Sequence, residues 1–379
     1  MSWTGVVHRE FNPEWPSIIR RFGLVGTISL SKPLGKDGIS LVSTINEGAV
    51  LALAISVLWA LTSLLAAGPA RALGGIRFNR LRLSMVALGL IALAVWIMIQ
   101  NGGLRIDIFS FGVLSLSGLI GIFLGDTLLY STLARVGPRR TTILFSTHAP
   151  MTALLGLLIG DSMLIEDWLG ISLVFFGVVI AIVYGKRRDQ LHVWEAVRGP
   201  LSLGVLLGLG AALSQAVGTI IAAPVLDPGS LQGTVIEGLG EVFSGAQSLS
   251  AVDLDSSERP DPVVASAIRV SVSAIALWVV LLVPGPWSPA LGDPAATAKI
   301  TPRLLGIITL NGVLGIGLGM TLFLIALTMT DAAVVATLSS MTPVALLPLI
   351  WMVTRQRPAL LAWVGAGLAG LGTALLLYQ

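Results

Sequence analysis

Long stretches without a charge alternate along this chain with short clusters of arginine. Ten stretches carry no Asp, Glu, Lys or Arg: residues 48–70, 83–104, 108–125, 141–160, 168–185, 199–226, 270–292, 304–330, 332–354 and 358–379. Each is at least 18 residues long and mostly apolar. A helix needs about 20 apolar residues to cross the hydrocarbon core of a bilayer. With no water to satisfy the backbone, spanning segments must be helices or a closed barrel. Barrel strands alternate apolar and polar residues, and these runs do not. The pattern predicts an all-α, polytopic membrane protein with ten transmembrane helices.

The pattern is also duplicated. GLIGIFLGDTL at 118–128 aligns without a gap on GVLGIGLGMTL at 312–322, so Gly118, Gly121 and Gly125 fall on Gly312, Gly315 and Gly319. FSTHAP at 145–150 corresponds to LSSMTP at 338–343, and DWLGISLVFFGVV at 167–179 more loosely to LAWVGAGLAGLGT at 361–373. RLS at 82–84 meets RVS at 269–271. Each half holds five runs, an odd number, so the second half enters the membrane with the opposite orientation. Inverted repeats of this kind recur in secondary transporters.

The duplication sets the expected boundaries: an N-terminal arm over 1–45, a first five-helix repeat over 46–185, a basic linker over 186–198 and a second repeat over 199–379. The arm lacks a continuous apolar core and does not read as a signal peptide; its aromatic and basic residues suit a membrane interface or a flexible tail. The second repeat is interrupted at about 227–261 by seven acidic residues, one basic residue and many Gly and Ser, which read as a flexible extramembrane insertion.

Charge then orients the chain. Loops on one side carry 15 basic residues, including Lys186, Arg187 and Arg188, and those on the other side carry three, Arg105, Arg259 and Arg269. The positive-inside rule places loop 186–188 in the cytoplasm and both termini outside, in a cytoplasmic membrane. The arm's five basic residues oppose that arrangement. Composition adds little more: 55% apolar and 11% charged residues, with a mean hydropathy of +0.90, fit membrane burial. The net charge of +3 follows topology and does not suggest a nucleic-acid partner. Without cysteine there is no disulfide, thiolate metal site or cysteine nucleophile.

The glycine-rich third span GDTLLYSTLARVGPRR, the proline-bearing fourth span and the loop pattern GDSMLIEDWLG at 160–170 resemble the drug/metabolite transporter superfamily, specifically EamA-like transporters built from two EamA repeats. Where that family has Gly-Glu before a Trp and a Gly, this chain has Gly160-Asp161 before Trp168 and Gly170; in the second half Trp363 and Gly365 keep the register, but Arg355-Gln356 replace Gly-Glu. The resemblance spans about 46–379 apart from the insertion, and implies the repeat fold and transport of a small metabolite. It leaves the substrate open.

Candidate residues follow from depth and polarity. Asp126 sits in an apolar run, where an ionised carboxylate costs about 2.5–3.5 kcal/mol, so it should face protein or a wet cavity. Its repeat counterpart is Met320, so the fold's symmetry does not require the acid. Tyr130, four residues on, shares its helix face. His148 is the one histidine within a run and lies two residues before Pro150. Pro150 and Pro343 break the fourth span at corresponding places in both halves, a pointer to a midplane binding site. Trp59, Thr62, Ser63, Gln215 and Asn311 are polar at depth, and suit helix–helix hydrogen bonds or solute contacts. Gly118, Gly121 and Gly125, with Gly312, Gly315 and Gly319, form small-residue faces for close helix packing, and the duplication suggests that the two faces meet near the pseudo-two-fold axis. No Lys or Arg lies within a run; Arg82 and Arg269 begin the second and seventh spans. That favours a neutral, zwitterionic or cationic solute over an anion.

Together these features indicate a secondary transporter, an exporter of a small metabolite working by alternating access, with proton coupling one option and no cofactor or metal required. Two alternatives stand beside it. One is an intramembrane enzyme using Asp126 and His148 as an acid–base pair, although no HExxH or GxSxG motif accompanies them. The other is a lipid-translocating relative. Monomer and homodimer are equally compatible with the sequence.

Overall fold

Helices are the only regular elements among the described residues of this computed structural model, which are 47–100, 106–158, 163–183, 197–226, 260–282, 299–354 and 359–377. The N-terminal arm, loop 186–188, Asp161 and nearly all of the 227–261 insertion lie outside the described residues. In the first half, α1 is Glu47–Leu73, α2 Gly75–Gln100, α3 Ile108–Gly118, α4 Gly125–Ser146, α5 His148–Leu158 and α6 Ile165–Val183. In the second, α7 is Leu201–Leu226, α8 Pro262–Leu282, α9 Pro302–Gly312, α10 Gly319–Leu327, α11 Ala332–Ser339, α12 Thr342–Thr354 and α13 Leu360–Leu377.

Seven helical stretches among the described residues are long and apolar enough to cross a membrane, and Leu360–Gly372 adds a shorter apolar one. The expected number was ten. Part of the difference lies in Ile108–Leu158, a 51-residue path that covers two of the apolar runs. Its backbone leaves helical geometry at Gly137 (φ 83°, ψ 166°), before Pro138. A side chain at Gly137 would strain that left-handed conformation, and Pro138 cannot donate to the preceding turn. Gly74 (φ 78°) makes the equally tight passage from α1 to α2.

The duplication reappears in local structure. The third span starts at Asp107, whose side chain accepts from Ser110 N at 3.0 Å, and its counterpart at Thr301, which accepts from Leu304 N at 3.3 Å. These caps satisfy orphan amides at matched positions. Within the duplicated glycine motif that follows, both halves widen into one six-residue π-helical stretch, Leu119–Leu124 in the first and Val313–Leu318 in the second. The fourth span breaks in both halves: one helix ends at Ser146 and the next starts at His148, while the counterpart ends at Ser339 and resumes at Thr342. Both breaks lie just upstream of the prolines, where a helical carbonyl loses its donor. Ser339 O instead accepts from the Thr342 hydroxyl at 2.9 Å.

The last helices of the two halves, α6 and α13, pack together through reciprocal glycines. A methyl at Gly177 would lie 2.6 Å from Gly365 O, and one at Gly372 would lie 2.6 Å from Gly170 O. Without burial of apolar surface to drive association in lipid, such close backbone approach is what joins the helices.

One sequence expectation fails here. Arg82 and Arg269 do not begin spans: each is the eighth residue of its helix, α2 or α8, and they are 3% and 0% exposed. Ending a run at its first charge misplaces a helix whose charge is held inside protein.

Candidate solute-binding site

The first helix of each half contributes Trp59 and Gln215, the third span Asp126, Tyr130 and Met320, and the fourth-span breaks Ser146, Ser340 and Pro343, all to the wall of one cavity. Its volume of about 70 Å³ has room for several waters, since one needs roughly 10–15 Å³ by the same kind of measure. Elements of both halves therefore meet at this space. Its surface mixes aromatic rings with a small number of polar groups, the composition of small-molecule sites.

Asp126 is held in this wall by Arg82, whose Nη1 donates to Asp126 Oδ2 at 3.0 Å. The same Nη1 lies 3.0 Å from Asn79 Oδ1. Asn79 Nδ2 donates to Thr127 Oγ1 at 3.3 Å, and the Thr127 hydroxyl donates to Phe123 O. The guanidinium also sits over the Tyr130 ring, 4.6 Å from its centroid, and that ring packs against Phe78 at 4.8 Å. Asp126 is 8% exposed. Its position answers the energetic problem of an acid in an apolar run: it faces an opposite charge across a cavity wall, away from lipid.

The other sequence candidates separate into two groups. Trp59 lines the cavity and donates from Nε1 to Gly315 O at 3.2 Å, stacking on Phe323 at 5.7 Å. Gln215 lines it as well, with Nε2 buried and unpaired. Thr62 and Ser63 are in the wall, their hydroxyls donating back to Trp59 O. Asn311 is not: its Nδ2 donates to Thr62 O at 2.6 Å, a bond between helices. Ser117, its counterpart, likewise donates to Gly218 O. His148 and Pro150 are also absent from the wall, whereas Pro343 is in it. His148 is fully buried against Phe145, at 5.0 Å between ring centroids, and neither ring nitrogen has a hydrogen-bond partner. An acid–base pair of Asp126 with His148 is therefore not assembled.

The two glycine faces do not pack against each other as expected. Methyls at Gly118 and Gly121 would meet Arg269 and Gly218, on α8 and α7, and one at Gly125 would meet Ser214. Methyls at Gly312, Gly315 and Gly319 would meet Arg82 and Val86, then Thr62, then Trp59, on α1 and α2. Each face thus seats on the first two helices of the opposite half. The exchange is reciprocal because Arg82 and Arg269 are themselves repeat counterparts.

Sequence reasoning missed Arg82 as a residue of the cavity wall, and Arg269 as its buried counterpart, which touches the wall residue Met320. The signal was present in the RLS and RVS match at 82–84 and 269–271, which placed both arginines at one repeat position. The expectation of a cavity without basic groups rested on their being at span ends, and that premise does not hold.

A helical membrane fold of two duplicated halves, with elements of both halves lining one largely apolar cavity that holds a few polar groups, is a transporter-type architecture. The profile of the EamA-like transporter family matches residues 46–183 and 248–378. The chain belongs to the EamA-like transporter family, with two EamA repeats, in the drug/metabolite transporter superfamily. Twenty-two chains of solved structures match it. One, a crystal structure of a protein 15% identical, superposes with a TM-score of 0.57 over 86% of this chain and 95% of its own. No curated protein matches the chain.

Proposed function

We propose that the protein is a secondary transporter that exports a small metabolite across the cytoplasmic membrane by alternating access. The observation that carries this reading is the cavity itself, where matched helix breaks from both halves meet the Arg82–Asp126 pair. Broken helices at corresponding positions are where transporters of inverted-repeat design hold their solute. Asp126 is the group that binds solute or carries a coupling proton. Trp59, Tyr130 and Gln215 complete the contact surface.

The architecture that goes with this function is ten membrane-spanning helices in two inverted five-helix repeats, 46–185 and 199–379, joined by a cytoplasmic linker over 186–198. Removing Arg82 and Arg269 from the loop count leaves 14 basic residues (15 less Arg82) against two (three less Arg269), so the charge bias that supports this orientation stays.

Metabolite profiles of cells lacking and overproducing the protein test the function. The solute should accumulate inside the first cells and outside the second. Purified protein in proteoliposomes should then exchange that solute across the bilayer. Identical profiles in both cells would remove the reading.

A further inference from the structure

Resting on that transport reading, the two arginines allow a sharper statement about the solute. They occupy one repeat position, but their surroundings differ. In the first half, Arg82 Nη1 lies 3.0 Å from two acceptors, Asn79 Oδ1 and Asp126 Oδ2. The repeat places Ser266 where Asn79 stands and Met320 where Asp126 stands. Ser266 is already engaged with Thr321 at 3.1 Å, as Asn79 is with Thr127. Both guanidinium acceptors are thus absent from the second half.

Arg269 is left with one weak contact, Nη1 to Met320 Sδ at 3.6 Å. Its Nε and Nη2 have no partner, and the residue is 0% exposed. Arginine keeps its proton and offers five donors in a fixed fork. No hydrogen bond or ion pair joins Arg269 to an acid among the described residues. A buried charge without hydrogen-bonded compensation is costly, which makes an incoming anion favourable at this place.

Met320 connects this cation to the cavity. It lines the wall while its sulfur contacts Arg269. A thioether side chain has three rotatable bonds and yields readily to a better partner.

We propose that the solute carries an anionic group, of the carboxylate class, that displaces the Met320 thioether and docks on Arg269. The solute would supply the negative charge that Asp126 supplies to Arg82. A planar carboxylate matches the guanidinium fork, two donors to two oxygens. Any cationic or neutral remainder would face Asp126, Gln215 and the aromatic wall.

The test uses the full chain in phosphatidylcholine nanodiscs, with thermal unfolding followed while sodium acetate or acetamide is titrated. Sodium chloride at matched concentration controls for ionic strength. Acetate should raise the unfolding temperature of the wild type, and its neutral isostere acetamide should not. Met320→Asp installs the missing carboxylate on the chain. It should fold at least as stably as the wild type, and its half-saturating acetate concentration should rise at least about tenfold. Arg269→Gln should lose the acetate response as well. If that variant fails to fold, Met320→Asp still decides. Equal effects of acetate and acetamide, full acetate protection of Met320→Asp, or a lowered unfolding temperature of that variant would each overturn the proposal. Loss of the acetate effect on adding phosphatidylglycerol would also overturn it, by assigning Arg269 to a lipid headgroup. Solute exchange in proteoliposomes without any acetate response would end this inference alone. Acetate binding without exchange of any solute would end the transport reading instead.

Discussion

Arg82 Nη1 and Asp126 Oδ2 lie 3.0 Å apart, joining α2 to α4 inside the first half, with both side chains at least 89% buried. Their counterparts Arg269 and Met320 keep the contact but not the charge. Removing one member of a buried pair leaves the other uncompensated, at a cost of about 3–5 kcal/mol, whereas replacing both by apolar groups is often neutral. Asp126→Leu and Arg82→Met alone should each lower the unfolding temperature strongly. The double variant should recover most of the loss. Additive losses in the double-mutant cycle would show that the pair contributes nothing as a pair.

His148 is buried without a hydrogen-bond partner and stands outside the cavity wall. An unpaired buried polar group costs about 1–3 kcal/mol. His148→Leu should therefore leave stability unchanged or slightly raised, and should leave the pH profile of transport where it was. A displaced profile would return the imidazole to the proton path.

How much of this could be read beforehand differs between fold and site. Helix, membrane and repeat were legible because each is a periodic property of many residues: charge-free runs, a gapless glycine motif, prolines at matched places. That Asp126, Tyr130, Trp59 and Gln215 face a cavity was legible because a polar group in an apolar run must face something other than lipid. His148 carries the same signal and stands outside the cavity wall, since depth does not say which way a side chain points. By charge alone Arg82 and Arg269 read as the ends of their spans. A charge marks a span end only when it meets water, and whether it does depends on partners such as Asp126 that arrive from another helix. The exchange of glycine faces between halves was likewise invisible, because it is a property of three-dimensional symmetry.

The α6–α13 contact depends on absent side chains. Alanine at Gly177 or Gly372 would push a methyl into backbone atoms of the facing helix. Overpacking of that kind costs about 1–3 kcal/mol. Alanine at Gly68 or Gly367 would meet nothing within 4 Å, and should be neutral or stabilising through helix propensity. Thermal unfolding of the four variants checks the contrast. Similar behaviour of all four would remove the packing role of the glycines.

Orientation can be measured directly, because the chain has no cysteine of its own. Single cysteines at positions 187 and 245 should react with an impermeant maleimide from opposite sides of the membrane, 187 from the cytoplasm. Labelling of both from one side would reject the inverted arrangement.

Asp126 raises the remaining question, whether its carboxyl carries a proton or only binds. Asp126→Asn keeps the size and the hydrogen-bonding oxygen but cannot take up or release a proton. If Asp126 couples transport to protons, proteoliposomes containing this variant should lose uptake driven by a pH gradient. They should retain exchange of labelled for unlabelled solute within about threefold, a change of under 1 kcal/mol. Asp126→Glu, which restores the titratable group near Arg82, should recover part of the driven uptake. Because Arg82 loses its counter-charge in the Asn variant, folding must be checked by size-exclusion profile before rates are compared. Full gradient-driven uptake by Asp126→Asn would rule out the proton role. Unchanged solute affinity in the same variant would rule out binding too, leaving the carboxylate as the structural partner of Arg82.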